Sequence, residues 1–326
     1  MMKKINKNLF GVVKILFNKE FITGTEIGKK LNISRTAVWK IIKILSNYGV
    51  DIITDNQLGY KIKDKILLLD QDTILQGINF NSITLDIFQS VVSTNEYLKN
   101  VYDSGYQNHA CLSEYQSGGN ARLGRNWYSP FAQNIYLSIK HKFRKDISAI
   151  SGLSLVLGIS IIKSLLSLNL SNKFLIKWPN DIYYEDKKIL GILTEVIGES
   201  NENCNAIIGV GLNVNMMHLS NSNNINWTSL KKITGENFDR NEICVLLINN
   251  IIRDLEKFNI LGFQYYLDEW KDYDYLAGKQ ISVTNHNNVI EGEYMGIDEG
   301  GNLLIKDNNN KVITLYSGDT SIISAN

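Results

Sequence analysis

Eight residues, Gly118–Arg125 (GGNARLGR), hold three glycines and two of the six arginines in the chain. Glycine lets backbone N–H groups approach an anion closely, and a guanidinium offers a permanent charge in a fixed fork. Together they fit a phosphate or carboxylate. The stretch is nevertheless not G-x-x-x-x-G-K-[ST], and G-x-G-x-x-G occurs nowhere in the chain, so a common nucleotide loop is excluded. A second group follows in KWPND, where Lys177 is a point charge before a proline-fixed turn and Asn180 and Asp181 come after it; Lys188 lies a little further on. Ser93, Thr94, Asn95 and Gln116 are polar residues where a plain core would not need them. Ser, Thr and Asn before Glu96 are also helix-capping chemistry. In GVGLNVN, Gly209 and Gly211 fall two apart, on one face of a strand, and Asn213 follows; close packing alone would explain the pattern too.

Those groups need elements to carry them. The stretches HACLSEYQS and NIYLSIKH read as strands flanking the Gly/Arg loop, and KFLIKWPNDIYYEDKKILGILTEVI reads as three strands with a charged turn at Glu185–Lys188. NAIIGVGLNVN is a further buried strand. Ser148–Leu168 reads as a buried helix and Asp239–Phe258 as an amphipathic one. With hairpins in place of strict βαβ alternation, residues 67–272 form an α+β domain, mixed α/β with a largely antiparallel sheet, its body beginning near Ser82. From residue 273 to 326 the texture is short alternating runs broken by HNN, DEGGN and DNNN, which predicts a small all-β barrel.

Residues 1–66 differ again. Helices are predicted over Ile5–Phe17, after Thr25 as N-cap, and after Ser34 to about Tyr48, where Val38, Ile41, Ile42 and Leu45 make one apolar stripe. VDIITDNQLGYKIK adds a hairpin. This is a winged helix-turn-helix pattern, with Arg35, Thr36, Trp39, Lys40 and Lys43 largely off the stripe and available to DNA. Trp39 fits a packing role equally well. The segment carries 13 Lys and Arg against 5 Asp and Glu, a net of +8, while the rest of the chain is net −7. A basic head on an acidic body predicts different partners for each.

The chain as a whole has 326 residues and a net charge of +1, which predicts no general attraction to nucleic acid or membrane. Its longest uncharged run, Ile147–Ile162, is too short to cross a bilayer. Cys111, Cys204 and Cys244 are widely spaced without C-x-x-C, so neither a disulfide framework nor a zinc site is expected, and a reducing, cytoplasmic setting is. His109, His141, His218 and His286 show no metal-ligand spacing.

The order and wording of STNEYL, EYQSGGNARLGRNWYSP, KWPND and GVGLNVN resemble the biotin–protein ligases, and with the head in front they resemble the bifunctional type that also represses biotin-synthesis genes. The resemblance covers essentially the whole chain. It implies an SH3-like C-terminal barrel and activation of biotin with Mg·ATP to biotinyl-5′-AMP. The biotinyl group then passes to one lysine of an apo biotin carboxyl carrier domain. It implies biotin contacts at Ser93, Thr94, Asn95, Gln116, Gly119, Arg122, Lys177, Gly209 and Gly211, and ATP or adenylate contacts at Gly124, Arg125, Trp127, Asn180, Lys188, Asn213 and Trp227. Lys177, Arg122, Arg125 and Asp181 are the expected catalytic set; Asp181 either orients Lys177 or helps hold Mg²⁺. Operator DNA and a homodimer promoted by the adenylate are further expectations. The loop departs from the family's G-R-G-R-R-G-R at Asn120, Ala121 and Leu123. A biotin-sensing transcription factor with weak or lost ligase activity, and a lipoate–protein ligase, are the competing readings.

Overall fold

The computed structural model describes residues 7–17, 20–63, 66–101, 107–144, 146, 150–200, 203–218, 226–285 and 288–323. The head comprises α1 (Lys7–Leu16), α2 (Gly24–Leu31), α3 (Arg35–Asn47) and the hairpin β1 (Ile52–Asp55) and β2 (Gly59–Ile62). Residues 5 and 6 of the first expected helix lie outside the described residues. Thr23, not Thr25, caps α2: its hydroxyl takes the Glu26 amide at 3.2 Å while Glu26 Oε2 takes the Thr23 amide at 2.9 Å. That reciprocal box answers two of the helix's free N–H groups, which Thr25 inside the first turn could not do. Ser34 caps α3 through the Ala37 amide at 3.1 Å. Val38, Ile41, Ile42 and Leu45 are buried as their spacing requires.

The connector carries α4 (Gln71–Gly77), capped by Asp70. Next come β3 (Ile83–Phe88), α5 (Thr94–Lys99), β4 (Asn108–Ser113) and β5 (Ile135–Phe143). After them run α6 (Leu153–Leu166), β6 (Phe174–Lys177), β7 (Asp181–Tyr184), β8 (Lys187–Ser200) and β9 (Asn203–Leu212). The helix expected from Ser148 starts later, behind Gly152 at φ 76°, and residues 147–149 lie outside the described residues. The strands make a seven-stranded sheet in the order β3-β4-β5-β9-β8-β7-β6, antiparallel except for β3 on β4. Glu185 and Asp186, both at positive φ, turn β7 into β8.

Sheet alternation separates two faces. Leu137, Ile139, Ile192, Ile208 and Val210 point to the core, where α6 and α8 (Arg240–Leu261, capped by Asp239) cover them. The other face brings Tyr136 and Ser138 of β5 level with Gly211 and Gly209 of β9, and these level with Gly191 and Leu193 of β8. α7 (Leu230–Thr234) and α9 (Leu267–Lys271) flank α8 in the chain. β10 (Gln280–Asn285), β11 (Asn288–Ile297), β12 (Leu303–Asp307), β13 (Val312–Leu315) and β14 (Asp319–Ile322) form the antiparallel SH3-like unit, in the order β13-β12-β11-β10-β14. His286 lies outside the described residues.

Candidate active site

The small-residue face of the sheet floors a cavity of about 220 Å³. α5 lies over its β5–β9 part. Ser93 stands at the N-cap position of α5, yet its side chain makes no capping bond among the described residues; the residue lines the cavity. The Thr94 amide donates to Gln116 Oε1 at 2.9 Å, and Gln116 Nε2 donates to Ser129 Oγ at 3.1 Å. Ser138 Oγ lies 2.6 Å from Thr94 Oγ1 and 2.5 Å from Asn95 Oδ1. A Cβ at Gly209 would stand 2.5 Å from that same Asn95 oxygen, so the missing side chain is the space Asn95 occupies.

Gly211 accommodates a side chain in the same way. A Cβ there would stand 2.6 Å from Trp127 Nε1, and one at Gly191 3.0 Å from Trp127 Cζ3. The indole therefore lies across the glycine floor. Its N–H is buried with no partner among the described residues, and Lys188 sits 5.4 Å over the ring.

The loop itself is a small closed hairpin. Ala121 N donates to Arg125 O at 2.8 Å and Trp127 N to Gly119 O at 2.7 Å; Leu123 (φ 56°) and Gly124 (φ 69°) make the reversal. Gly119 is closely surrounded. A Cβ on it would meet Ser129 Oγ and Trp127 O at 2.8 Å and Gln116 Nε2 at 2.9 Å, so glycine is needed for close packing behind the polar group. Arg122 and Arg125 do line the cavity. Arg122 donates to Asn180 Oδ1 at 3.1 Å and to Gly318 O at 3.3 Å. Arg125 is paired with Asp319 of the C-terminal unit, whose carboxylate lies 3.7 Å from Arg122 as well.

KWPND supplies the next wall. The Trp178–Pro179 peptide is cis, and Asn180 Nδ2 holds Ile192 O at 2.6 Å. Asp181 pairs with Lys188 at 2.7 Å, not with Lys177. The Lys177 ammonium stands 5.3 Å over the Tyr183 ring, which stacks on Tyr275 at 4.9 Å. Burial lowers the Lys177 pKa from the ordinary lysine value, Asp181 opposes that, and Lys188 and Lys279 add to it. Burial likewise lowers Arg122, again against Asp181. Asn213 and Trp227 close the remaining side. Asn213 Nδ2 donates to Thr228 O at 3.0 Å, and Lys232 covers the Trp227 ring at 4.0 Å. Among the described residues Gly119, Gly124 and Lys177 do not line the cavity, whereas the other ligand-site residues expected from the sequence do.

Comparison with known proteins places the chain in a family. Residues 87–213 match the Biotin/lipoate A/B protein ligase family, residues 8–61 an HTH domain and residues 277–322 the Biotin protein ligase C terminal domain. The bifunctional ligase/repressor BirA of Escherichia coli (strain K12) is 35% identical over 296 residues, covering 90% of this chain and 91% of that protein. This chain belongs to the bifunctional biotin ligase/repressor family. The relative of the same name in Bacillus subtilis (strain 168) is 27% identical over 310 residues, 93% of this chain and 94% of its own. Among solved structures, the biotin protein ligase from Aquifex aeolicus in complex with biotin and ATP superposes with a TM-score of 0.64 at 27% identity, covering 76% of this chain and all of that one.

Within this family member, sequence reasoning misses Ser129, Ser138, Gly191, Glu195 and Asp319. Gly191 carries a signal, an isolated glycine in the strand pattern KILGIL. Ser138 is a serine on the alternation of NIYLSIKH. Asp319 has no local signal, because its partner loop lies almost two hundred residues earlier.

The DNA-binding candidates Arg35, Thr36, Trp39, Lys40 and Lys43 are all exposed on α3. Trp39 is 51% exposed and carries the Lys43 ammonium 5.4 Å over its ring, so it is not a core residue.

Proposed function

We propose that this chain is a biotin–protein ligase that also acts as a biotin-responsive transcriptional repressor through its N-terminal domain. The observation that carries this reading is a single cavity that joins a neutral polar group (Thr94, Asn95, Gln116) to a cationic one (Arg122, Arg125, Lys188). A cyclic urea fits the first and a polyphosphate the second. In the first step a biotin carboxylate oxygen bonds to the α-phosphorus of ATP and the bond to pyrophosphate breaks. In the second, a carrier lysine amine attacks the acyl carbon and AMP leaves. Both first-step reactants are anions, so fixed cations lower the barrier without any covalent nucleophile. Arg122 and Arg125 supply permanently charged forks at the cavity wall; Lys177 stands outside that lining, and the family resemblance alone assigns it the charge near the reacting carboxylate.

Trp227 and Trp127 offer aromatic faces, one for adenine and one over the glycine floor. Asn180, Asn213, Lys188, Gly209 and Gly211 complete the two subsites, and Gly119 and Gly124 give the loop its packing and its turn. Mg²⁺ would arrive on the ATP phosphates and spread their charge. Asp181 is the wall carboxylate suited to join them, since Mg²⁺ takes one or two carboxylates beside phosphate oxygens; its pairing with Lys188 argues against a site made of protein alone. The same reading divides the chain into residues 1–66, 67–272 and 273–326, supported by three separate sheets. A biotin carrier domain and operator DNA are the partners, with a homodimer forming on adenylate binding. Three buried free cysteines suit the cytoplasm.

Incubation with biotin, Mg·ATP and an apo carrier domain should transfer biotin to the carrier, with lipoate failing to compete. Retained biotin binding without transfer would overturn the catalytic half. Arg122→Gly, which removes the tie between the loop and Asn180, should release the acyl-adenylate and label bystander proteins. Unchanged acceptor selectivity in that variant would overturn the role given to Arg122.

A further inference from the structure

The two ends of an asparagine amide have nearly the same shape, but one donates and the other accepts. Which end of Asn95 reaches the cavity decides what a ligand must offer there. Asn95 is buried, 3% exposed, and its Nδ2 lies 2.9 Å from Glu195 Oε2 and 3.4 Å from Leu193 O. Its Oδ1 lies 2.5 Å from Ser138 Oγ. Ser138 cannot set the orientation, because a hydroxyl both donates and accepts. A carboxylate only accepts, so the end against Glu195 has to be the NH₂.

Glu195 is itself held. Its Oε1 takes Lys99 Nζ at 2.8 Å, and the same ammonium bridges Glu96 at 2.6 Å on α5. Sheet register puts Glu195 on the cavity face of β8, following Gly191 and Leu193 at spacings of two, and opposite Ile207 one step beyond Gly209. The carboxylate thus reaches Asn95 from the end of the floor, and it is not itself one of the lining residues among those described.

The geometry points to Glu195 as a positioning residue that locks the Asn95 amide so that its carbonyl oxygen is presented to the cavity as an acceptor for a ring N–H of the cyclic urea. This rests on the reading of the cavity as a biotin site. The carbonyl has two lone pairs, so it accepts from Ser138 and from the ligand at once. Without Glu195 only the longer 3.4 Å contact to Leu193 O still holds the NH₂ outward, so the amide turns its NH₂ inward more readily, where it opposes the ligand's N–H.

The test is biotin affinity by calorimetry in the full-length protein without ATP, followed by steady-state ligation. Glu195→Leu keeps the bulk and removes the acceptor. Biotin should bind about tenfold more weakly, the loss expected for one mispaired buried hydrogen bond, while KM for ATP stays within about twofold. Glu195→Gln, whose side-chain carbonyl still accepts from Asn95, should return affinity to within about threefold of wild type. A biotin analogue N-methylated at both ring nitrogens should bind wild type and Glu195→Leu equally. Unchanged biotin affinity in Glu195→Leu, or equal losses for biotin and ATP, would overturn the proposal alone. Failure of the wild-type protein to bind biotin would overturn the reading of the cavity and the proposal with it.

Discussion

His141 is buried on β5 with its Nδ1 2.6 Å from Asn108 Oδ1 and its Nε2 without a partner among the described residues. Burial pushes its pKa down from 6.5 to about 4. The folded protein therefore holds the ring neutral while the unfolded chain protonates it near 6.5. The stabilisation is complete above about pH 6.5 and is lost as pH falls toward 4; below that both states are protonated and nothing further is lost. The whole effect is about 3 kcal/mol. Unfolding free energy measured by urea titration should decline over that window in wild type, and His141→Gln should lack this component. Equal pH slopes in the two proteins would contradict the assignment. Nothing in the sequence marks His141 as buried, whereas Gly209 and Gly211 are legible because two glycines at a spacing of two must leave space on one strand face. What fills the space is not legible: Asn95 arrives from α5 and Trp127 from a loop, each more than eighty residues away. Ser138 and Glu195 are hidden for the same reason, since a strand's neighbours are set by sheet register and not by adjacency in the chain.

At the scale of elements, local chemistry reads well and cap positions less so. Ser34 and Asp239 cap the helices they precede, but Thr23 displaces Thr25 because only Thr23 stands three residues before Glu26. Ser93 occupies a cap position without capping, and that departure from local expectation falls at the cavity. α3 turns one face to the core and the other to solvent, and the exposed face carries Lys40 and Lys43. Each lysine that meets a phosphate releases counterions, so the double variant Lys40→Ala/Lys43→Ala should reduce the slope of log affinity against log salt by about 2. A random-sequence duplex suffices for the measurement, since this contribution does not depend on base sequence. A slope equal to that of wild type would exclude α3 as the element lying along the phosphates. Trp39→Ala should instead weaken binding with little change in slope.

At the scale of the whole molecule, the head shares its core with the ligase domain. Phe131 is fully buried within the head's apolar cluster, edge-on to Phe10 at 6.4 Å and stacked toward Tyr48 at 6.3 Å. Tyr48, at the C-terminus of α3, stacks on Tyr115 at 3.9 Å, next to Gln116 of the cavity. Backbone bonds tie the same place together, from Phe131 N to Tyr48 O at 2.8 Å, and Gln133 Nε2 reaches Gly49 O at 2.8 Å. Beneath them Glu114 and Arg240 form a fully buried pair that also grips the connector at Leu67 and Leu69. A head of about sixty residues buries little apolar surface alone and is marginal without such support. Phe131→Ala should remove about 3–5 kcal/mol from this junction. Calorimetry should show wild type melting in one transition, and Phe131→Ala in two, with the head melting first. Phe131→Leu, which keeps most of the buried volume, should restore the single transition. A uniform downward shift of one undivided peak in Phe131→Ala would mean that the residue supports the ligase domain and does not weld the head to it.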